Sequence, residues 1–209
     1  MNLGVNHALN KLQCDFILLW ENDIIPVDDY FDQLQQVMEA WEGDNMICSK
    51  VFYRVQPNRI FAMGGRFDSR TGRRYLIGRT AIDSEQYHQV VEVDWNIGQG
   101  VLIHREIFEK VGLFDEETFP QYSGDADFSL RVKKAGFKNM VFPNLKLLND
   151  TATTGISHNS NMSFREFFLS LHSIRSNSSI KKDIKFYRRH ATSFLAYRSL
   201  MKKYFIYTG

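Results

Sequence analysis

Asp15-Phe16-Ile17-Leu18-Leu19-Trp20-Glu21-Asn22-Asp23 is an unbroken apolar run that ends in two carboxylates two positions apart. Such a run is the pattern of a strand buried on both faces, as in parallel sheets. Ligands of these sheets sit at the carboxyl ends of strands, so Glu21-Asn22-Asp23 is the first place to look for chemistry. Hard cations such as Mg²⁺ and Mn²⁺ take oxygen ligands, and Mg²⁺ is commonly held by one or two carboxylates plus substrate phosphates. The competing reading is a solvated acidic turn.

On the N-terminal side, Val5, Ala8, Leu9 and Leu12 recur at helical spacing. On the C-terminal side, Pro26, Asp28 and Asp29 mark a helix start, with Phe31, Leu34, Met38 and Trp41 as its apolar stripe. A strand is expected over 45–54. The stretch 59–94, with Gly64, Gly65, Gly72 and Gly78, reads as a turn-rich excursion with hairpin elements. Order returns at 90–95 and 97–103. A helix over 104–111 stops at Gly112 in a left-handed cap, and a second over 125–135 stops at Gly136. A strand follows at 137–142. Ser163-Phe164-Arg165-Glu166 is a capping box opening a further helix, and the chain closes in a basic, aromatic helical segment. Strands alternating with helices give an α/β class with a largely parallel sheet.

Asp125 and Asp127 open a helix after Gly124. A carboxylate there can take a proton from an attacking hydroxyl; the alternative is capping of the helix dipole. His158 lies in a polar loop, either completing a metal's coordination or simply exposed. Gly98-Gln99-Gly100 permits close backbone approach to a ligand, or marks a bulge.

The 209 residues are 44% hydrophobic and 24% charged, enough for one sizeable core with an appendage. No run reaches the roughly 18 apolar residues of a membrane span, and the first residues lack a signal-peptide profile. Cys14 and Cys48 have no metal or redox spacing and read as buried thiols of a reducing compartment, so a cytoplasmic location is expected. From Lys181 onward the chain carries a net charge of +7 against −5 for the remainder. That asymmetry suggests an anionic contact such as a membrane surface, or a packed helix with a solvated basic face. No nucleic acid partner is expected.

In order, these pieces resemble the family 2 glycosyltransferases of GT-A fold, in the rhamnosyltransferase-like branch. Asn2-Leu3-Gly4-Val5-Asn6-His7-Ala8-Leu9-Asn10 is similar to the family's N-x-G-x-x-x-A-x-N helix start beside the nucleotide. Asp15 to Asp23 resembles the strand ending in its metal-binding D-x-D, with Glu21 in place of the first acid. The span from Ala62 through Trp95 to Gly100 looks like the branch's middle region. Gly124-Asp125-Ala126-Asp127-Phe128-Ser129-Leu130-Arg131 is similar to E-D-x-D-(L/F)-x-x-R, with Gly124 replacing the glutamate.

The resemblance runs from Asn2 to about Ser163. It implies a GT-A domain over 1–162, with a mixed, mainly parallel sheet flanked by helices, and a basic aromatic helical segment over 163–209. It implies a metal-dependent, inverting transfer of a hexosyl or deoxyhexosyl unit from a nucleotide diphosphate sugar to a glycan or lipid-linked acceptor. Asp125 would be the base, and Asp23, His158 and Glu21 would hold Mn²⁺ or Mg²⁺. Asn2, Gly4, Asn10, Asn22, Gly98 and Gly100 would contact the donor; Trp95, Asp127 and Arg131 would contact the acceptor.

Family members place a nucleotide-binding strand, helix and strand ahead of the Asn2–Asn10 segment. The expectation is therefore a fold incomplete at its N-terminus, with a further segment, a partner chain or an oligomer supplying the rest. Two other classes remain: an inactive accessory or glycan-binding module of the same fold, and a two-metal phosphodiesterase using Glu21, Asp23, Asp125 and Asp127.

Overall fold

The structure, a computed structural model, describes residues 1–40, 45–150 and 179–205. The expected boundary at 162–163, His158, Trp41 and the capping box lie outside these residues.

Helix α1 (Asn2–Asn10) precedes the decisive strand β1 (Phe16–Leu19), and β2 (Ile24–Pro26) follows the acidic turn. Helix α2 (Tyr30–Glu39) leads to β3 (Asn45–Tyr53) and β4 (Gln56–Ala62). The glycine-rich excursion contains the hairpin β5 (Gly65–Phe67) and β6 (Arg74–Leu76), then β7 (Val91–Val93). Strand β8 (Val101–His104), helices α3 (Arg105–Val111) and α4 (Gly124–Lys134), and the long β9 (Lys138–Asn149) complete the body. Helices α5 (Ile180–His190) and α6 (Phe194–Phe205) close the described chain.

The sheet runs β1-β8-β3-β9-β2, with β4 also on β3 and β7 also on β9. It is mixed, as expected, but the emphasis on parallel pairing is corrected. Among the described pairs only β3 and β9 run parallel, the others being antiparallel. Continuous apolar runs report burial and nothing more, and β1 corrects even that reading: it ends the strand order, paired with β8, with Leu19 buried and Phe16, Ile17 and Leu18 half-buried. Strand direction is not encoded in such runs.

Side chains of β3 alternate between two covered faces, and Met46 to Phe52 are all buried. Met46, Cys48 and Phe52 pack with Ile107, Phe108, Phe128 and Val132 on the α3/α4 side. Ile47 and Val51 pack with Tyr30, Leu34 and Val37 on the α2 side. The apolar stripe of α2 is therefore Tyr30, Leu34 and Val37 with Met38 half-buried beside them, and Phe31 is 58% exposed. The Tyr30 ring takes the core position because its hydroxyl finds a partner in Ser49 Oγ at 2.8 Å.

Two local differences have simple causes. Gly112 ends α3 with φ 82° but an extended ψ of −172°, open to glycine alone, so the cap is not left-handed helical. Strand β9 continues beyond 142 to Asn149, because Pro143, Asn144 and Leu145 bulge out of its ladder with β3. Proline lacks the N–H a ladder needs and is tolerated at such a bulge.

The C-terminal helices pack on the body. Tyr187 donates its hydroxyl to Gly72 O at 2.8 Å, Ser193 Oγ donates to Arg70 O at 2.9 Å, and Ser199 Oγ to Thr71 O at 2.6 Å. No helix among the described residues is long and apolar enough to cross a membrane.

Candidate active site

Strand order explains why the acidic turn and α4 meet. β1 and β3 both run antiparallel to β8, and β9 runs parallel to β3. The carboxyl ends of β1 and β9 therefore share one rim, where β8 begins. At that rim Gly100 N–H donates to Leu19 O at 3.1 Å, and Asp150 N–H donates to Asp23 O at 2.9 Å.

Glu21 and Asp125, 104 positions apart in sequence, line one cleft of about 470 Å³ with Arg74, Trp95, Gly98 and Gln99. Gln99 orients Glu21, its amide donating to Oε2 at 2.7 Å, and Asn149 in turn donates to Gln99 Oε1 at 2.8 Å. Burial pushes the Glu21 carboxyl above its ordinary value; the Gln99 bond pulls it back, and the neighbouring Asp23 and Asp125 charges push it up further.

Asp23 stands beside Glu21, and its Oδ1 is buried with no hydrogen-bond partner among the described residues. A buried orphan oxygen next to a second carboxylate is a donor set that a cation would satisfy. Among the described residues no three His, Cys, Asp or Glu side chains gather as a metal site. The pair thus fits a cation shared with substrate phosphates, and does not fit a cage built by these residues alone. Asn22 between them is exposed.

Asp125 keeps part of its surface open to the cleft, yet protein crowds it enough that burial raises its carboxyl above the ordinary value. The Ala126 N–H, at 2.8 Å from Oδ1, and the charges of Arg74 and Lys182 pull the other way. The loop facing it is tied to the same helix turn: Ser129 donates to Asp125 O at 2.8 Å and accepts from Asn96 N–H at 3.3 Å. Asn96 Oδ1 accepts from Gly98 N–H at 2.9 Å. Gly98, at φ 74°, lies so close that an added Cβ would come within 3.5 Å of Asp125 Cβ.

Several sequence-derived candidates occupy other places. Asn2 is spent on the Phe114 backbone, donating to its carbonyl at 2.7 Å and accepting its N–H at 3.1 Å. Gly4 and Asn10 are exposed on α1. Gly100 faces the core, not the cleft. A Cβ there would sit 2.3 Å from Leu147 Cδ1 and 2.7 Å from Ser49 Oγ, at φ 61°. Gly100→Ala is therefore expected to lower stability by about 1–3 kcal/mol or more, read as a drop in denaturant midpoint at unchanged slope.

Asp127 and Arg131 also leave the acceptor role. Asp127 is fully buried and turned away from the cleft, two residues beyond Asp125 on the helix. It accepts Arg131 Nε at 2.9 Å, Arg189 Nη1 at 2.9 Å and His190 Nε2 at 2.8 Å. Arg131 also donates from Nη1 to Val111 O and from Nη2 to Leu113 O. These residues form a structural hub that fastens α5 to α4. Trp95 does line the cleft, with Nε1 donating to Arg66 O at 3.3 Å.

Sequence reasoning passed over Gln99 as a side chain, and Arg74 and Arg79 altogether. The arginines sit in the excursion of short strands, where charge alone gives no signal.

No protein-family model matches the chain, and no curated protein matches it. Among solved structures, A197 from STIV is similar at 13% identity, over 76% of this chain and 78% of its own, with a TM-score of 0.41. GalNAc-T7, solved with UDP, GalNAc and Mn²⁺, is similar at 10% identity, over 85% of this chain and 39% of its own, with a TM-score of 0.49. This chain thus spans well under half of the GalNAc-T7 chain. At such identities neither likeness carries chemistry to these residues.

Proposed function

We propose that the chain is the GT-A catalytic part of a glycosyltransferase, moving a sugar from a nucleotide diphosphate donor to a hydroxyl acceptor. The observation that supports this best is the meeting of Glu21 and Asp125 in one cleft, with Asp23 beside them, from motifs far apart in sequence. Their order along the chain is that of the family 2 enzymes.

In this reading Asp23 and Glu21 would hold Mn²⁺ or Mg²⁺ together with the donor diphosphate, and His158 is the remaining proposed ligand. A cation held there would supply positive charge to the leaving diphosphate as the glycosidic bond breaks. Gln99 and Asn149 fix the direction of Glu21. Asp125 takes the proton of the attacking hydroxyl, and its raised affinity for protons suits a base that must accept one. The acceptor sits against Trp95. Attack from the Asp125 side opposite the diphosphate gives inversion at the anomeric carbon.

The two-metal phosphodiesterase reading loses one of its four carboxylates, since Asp127 is saturated by three partners away from the cleft. Titration of UDP by calorimetry separates the remaining classes. Binding is expected to require Mn²⁺ and to fall at least about 10-fold in Asp23→Asn, which removes one charged ligand. Nucleotide binding indifferent to Mn²⁺, or absent with and without it, would leave the accessory-module reading in its place.

A further inference from the structure

Arg74 and Arg79 are the two arginines that line the cleft. The Arg74 guanidinium lies 5.2 Å from the Trp95 ring and 4.9 Å from the Phe186 ring, between two aromatic groups. Its one hydrogen bond among the described residues is a long 3.4 Å contact to Ser123 Oγ. Neither Arg74 nor Arg79 joins a salt bridge among the described residues. Arg79 lines the same cleft, resting 4.6 Å from the Phe61 ring. Two cations that line a cleft against ring faces, in no ion pair among the described residues, keep their planar N–H forks available for an oxyanion.

The position of Arg74 tells donor from acceptor. Its guanidinium reaches Ser123 Oγ, two positions before Asp125 at the start of α4, and its charge acts on Asp125. It therefore lies at the turn that delivers Asp125, the base side of the cleft. Ser123, which Arg74 touches, adopts φ 69° although it is not a glycine. A left-handed serine is held there only by its surroundings, and it sets the turn that delivers Asp125.

Building on the transferase reading, we propose that Arg74, with Arg79, forms an anion subsite for the acceptor, so that the accepting glycan carries a carboxylate or a phosphate beside its reactive hydroxyl. The forked guanidinium pairs with two oxygens at once, which a lysine cannot reproduce. Uronic acids and phosphorylated sugars share that chemistry.

The test uses the full chain and four probes followed by NMR titration: methyl β-D-glucuronide, methyl β-D-glucoside, glucose 6-phosphate, and UDP with Mn²⁺. At least one acidic sugar is expected to bind about 10- to 100-fold more tightly than the neutral glucoside. Preference for the glucuronide identifies a carboxylate acceptor, and preference for the 6-phosphate a phosphorylated one. Arg74→Gln and Arg74→Lys should both erase the preference while leaving UDP·Mn²⁺ affinity unchanged, and Arg79→Gln should reduce it in part. Should Arg74→Gln fail to fold, the wild-type preference and the Arg79 variant still decide. Equal binding of acidic and neutral sugars would overturn the proposal, as would an Arg74 variant that weakens UDP·Mn²⁺ instead. If UDP·Mn²⁺ does not bind at all while an acidic sugar does, the transferase reading fails and the anion subsite stands.

Discussion

Asp125→Asn is expected to reduce sugar transfer by about 10²- to 10⁴-fold, the usual contribution of a positioned general base. UDP·Mn²⁺ affinity should be retained, because Glu21 and Asp23 are untouched. The same variant should be more stable than the parent at neutral pH. Burial lifts the Asp125 carboxyl above its ordinary value, so the fold favours the protonated acid, and that favour is lost as pH rises through the folded pKa. Asparagine cannot ionise and escapes the loss. A lower rate combined with a higher unfolding midpoint at pH 7 marks a group kept for chemistry at the expense of stability. Transfer persisting at more than a tenth of the parent rate would remove Asp125 from the role of base.

Asp127→Asn is expected to act in the opposite sense and more severely on the fold. Removing one partner of a buried ionic cluster typically destabilises by about 3–5 kcal/mol, which for a chain of this size lowers the thermal midpoint by roughly 10 °C. Asp127 is fully buried, and its substitution leaves Arg131, Arg189 and His190 facing one another without their common anion. Asp115→Asn gives a milder comparison, since its pair with Arg189 at 2.7 Å is partly exposed. Acid should imitate the substitution. Burial raises the Asp127 carboxyl, but its bonds to His190, Arg131 and Arg189 outweigh that and hold it below the ordinary value. Its stabilisation is therefore present at neutral pH and lost as the carboxyl protonates.

His190 is pushed down by burial, against the pull of Asp127, with Lys134 and Arg189 adding to the downward push. It is neutral in the fold and donates through Nε2, so its contribution begins to fade as pH falls below the ordinary histidine value of 6.5. Circular dichroism against pH should show helix loss beginning in that range for the parent, and at higher pH for Asp127→Asn. An acid transition identical in both proteins would detach the hub from the stability of the α5 contact.

What the sequence disclosed follows the range over which each signal is written. Phe16–Leu19 is apolar at every position, so β1 and its acidic end were legible locally. Helices α3 and α4 followed from stop glycines and periodicity. Strand direction was not legible, because partners such as Ile47 and Leu102 meet only in the fold. Asp125 and Asp127 looked alike as first-turn acids. Their separation depends on geometry: residues two apart on a helix point to different sides, and only the packing of α5 shows which side is the cleft. The two glycines flanking Gln99 were equally ambiguous. Gly98 approaches Asp125, and Gly100 approaches Leu147. Arg74 gave no local signal, since its significance comes from Trp95 and Phe186, each distant in sequence.

The parallel pair β3 and β9 also governs how the polypeptide reaches this state. Met46 must find Asn139 across roughly ninety residues before the centre of the sheet exists, and such non-local pairing is slow to nucleate. Until then the strand Met46–Val51, with Met46, Ile47, Cys48 and Val51 apolar, has no partner strand on one side during synthesis, an invitation to intermolecular association. Slow production at low temperature, or co-expression with holding chaperones, should raise the soluble yield more than any change of surface charge.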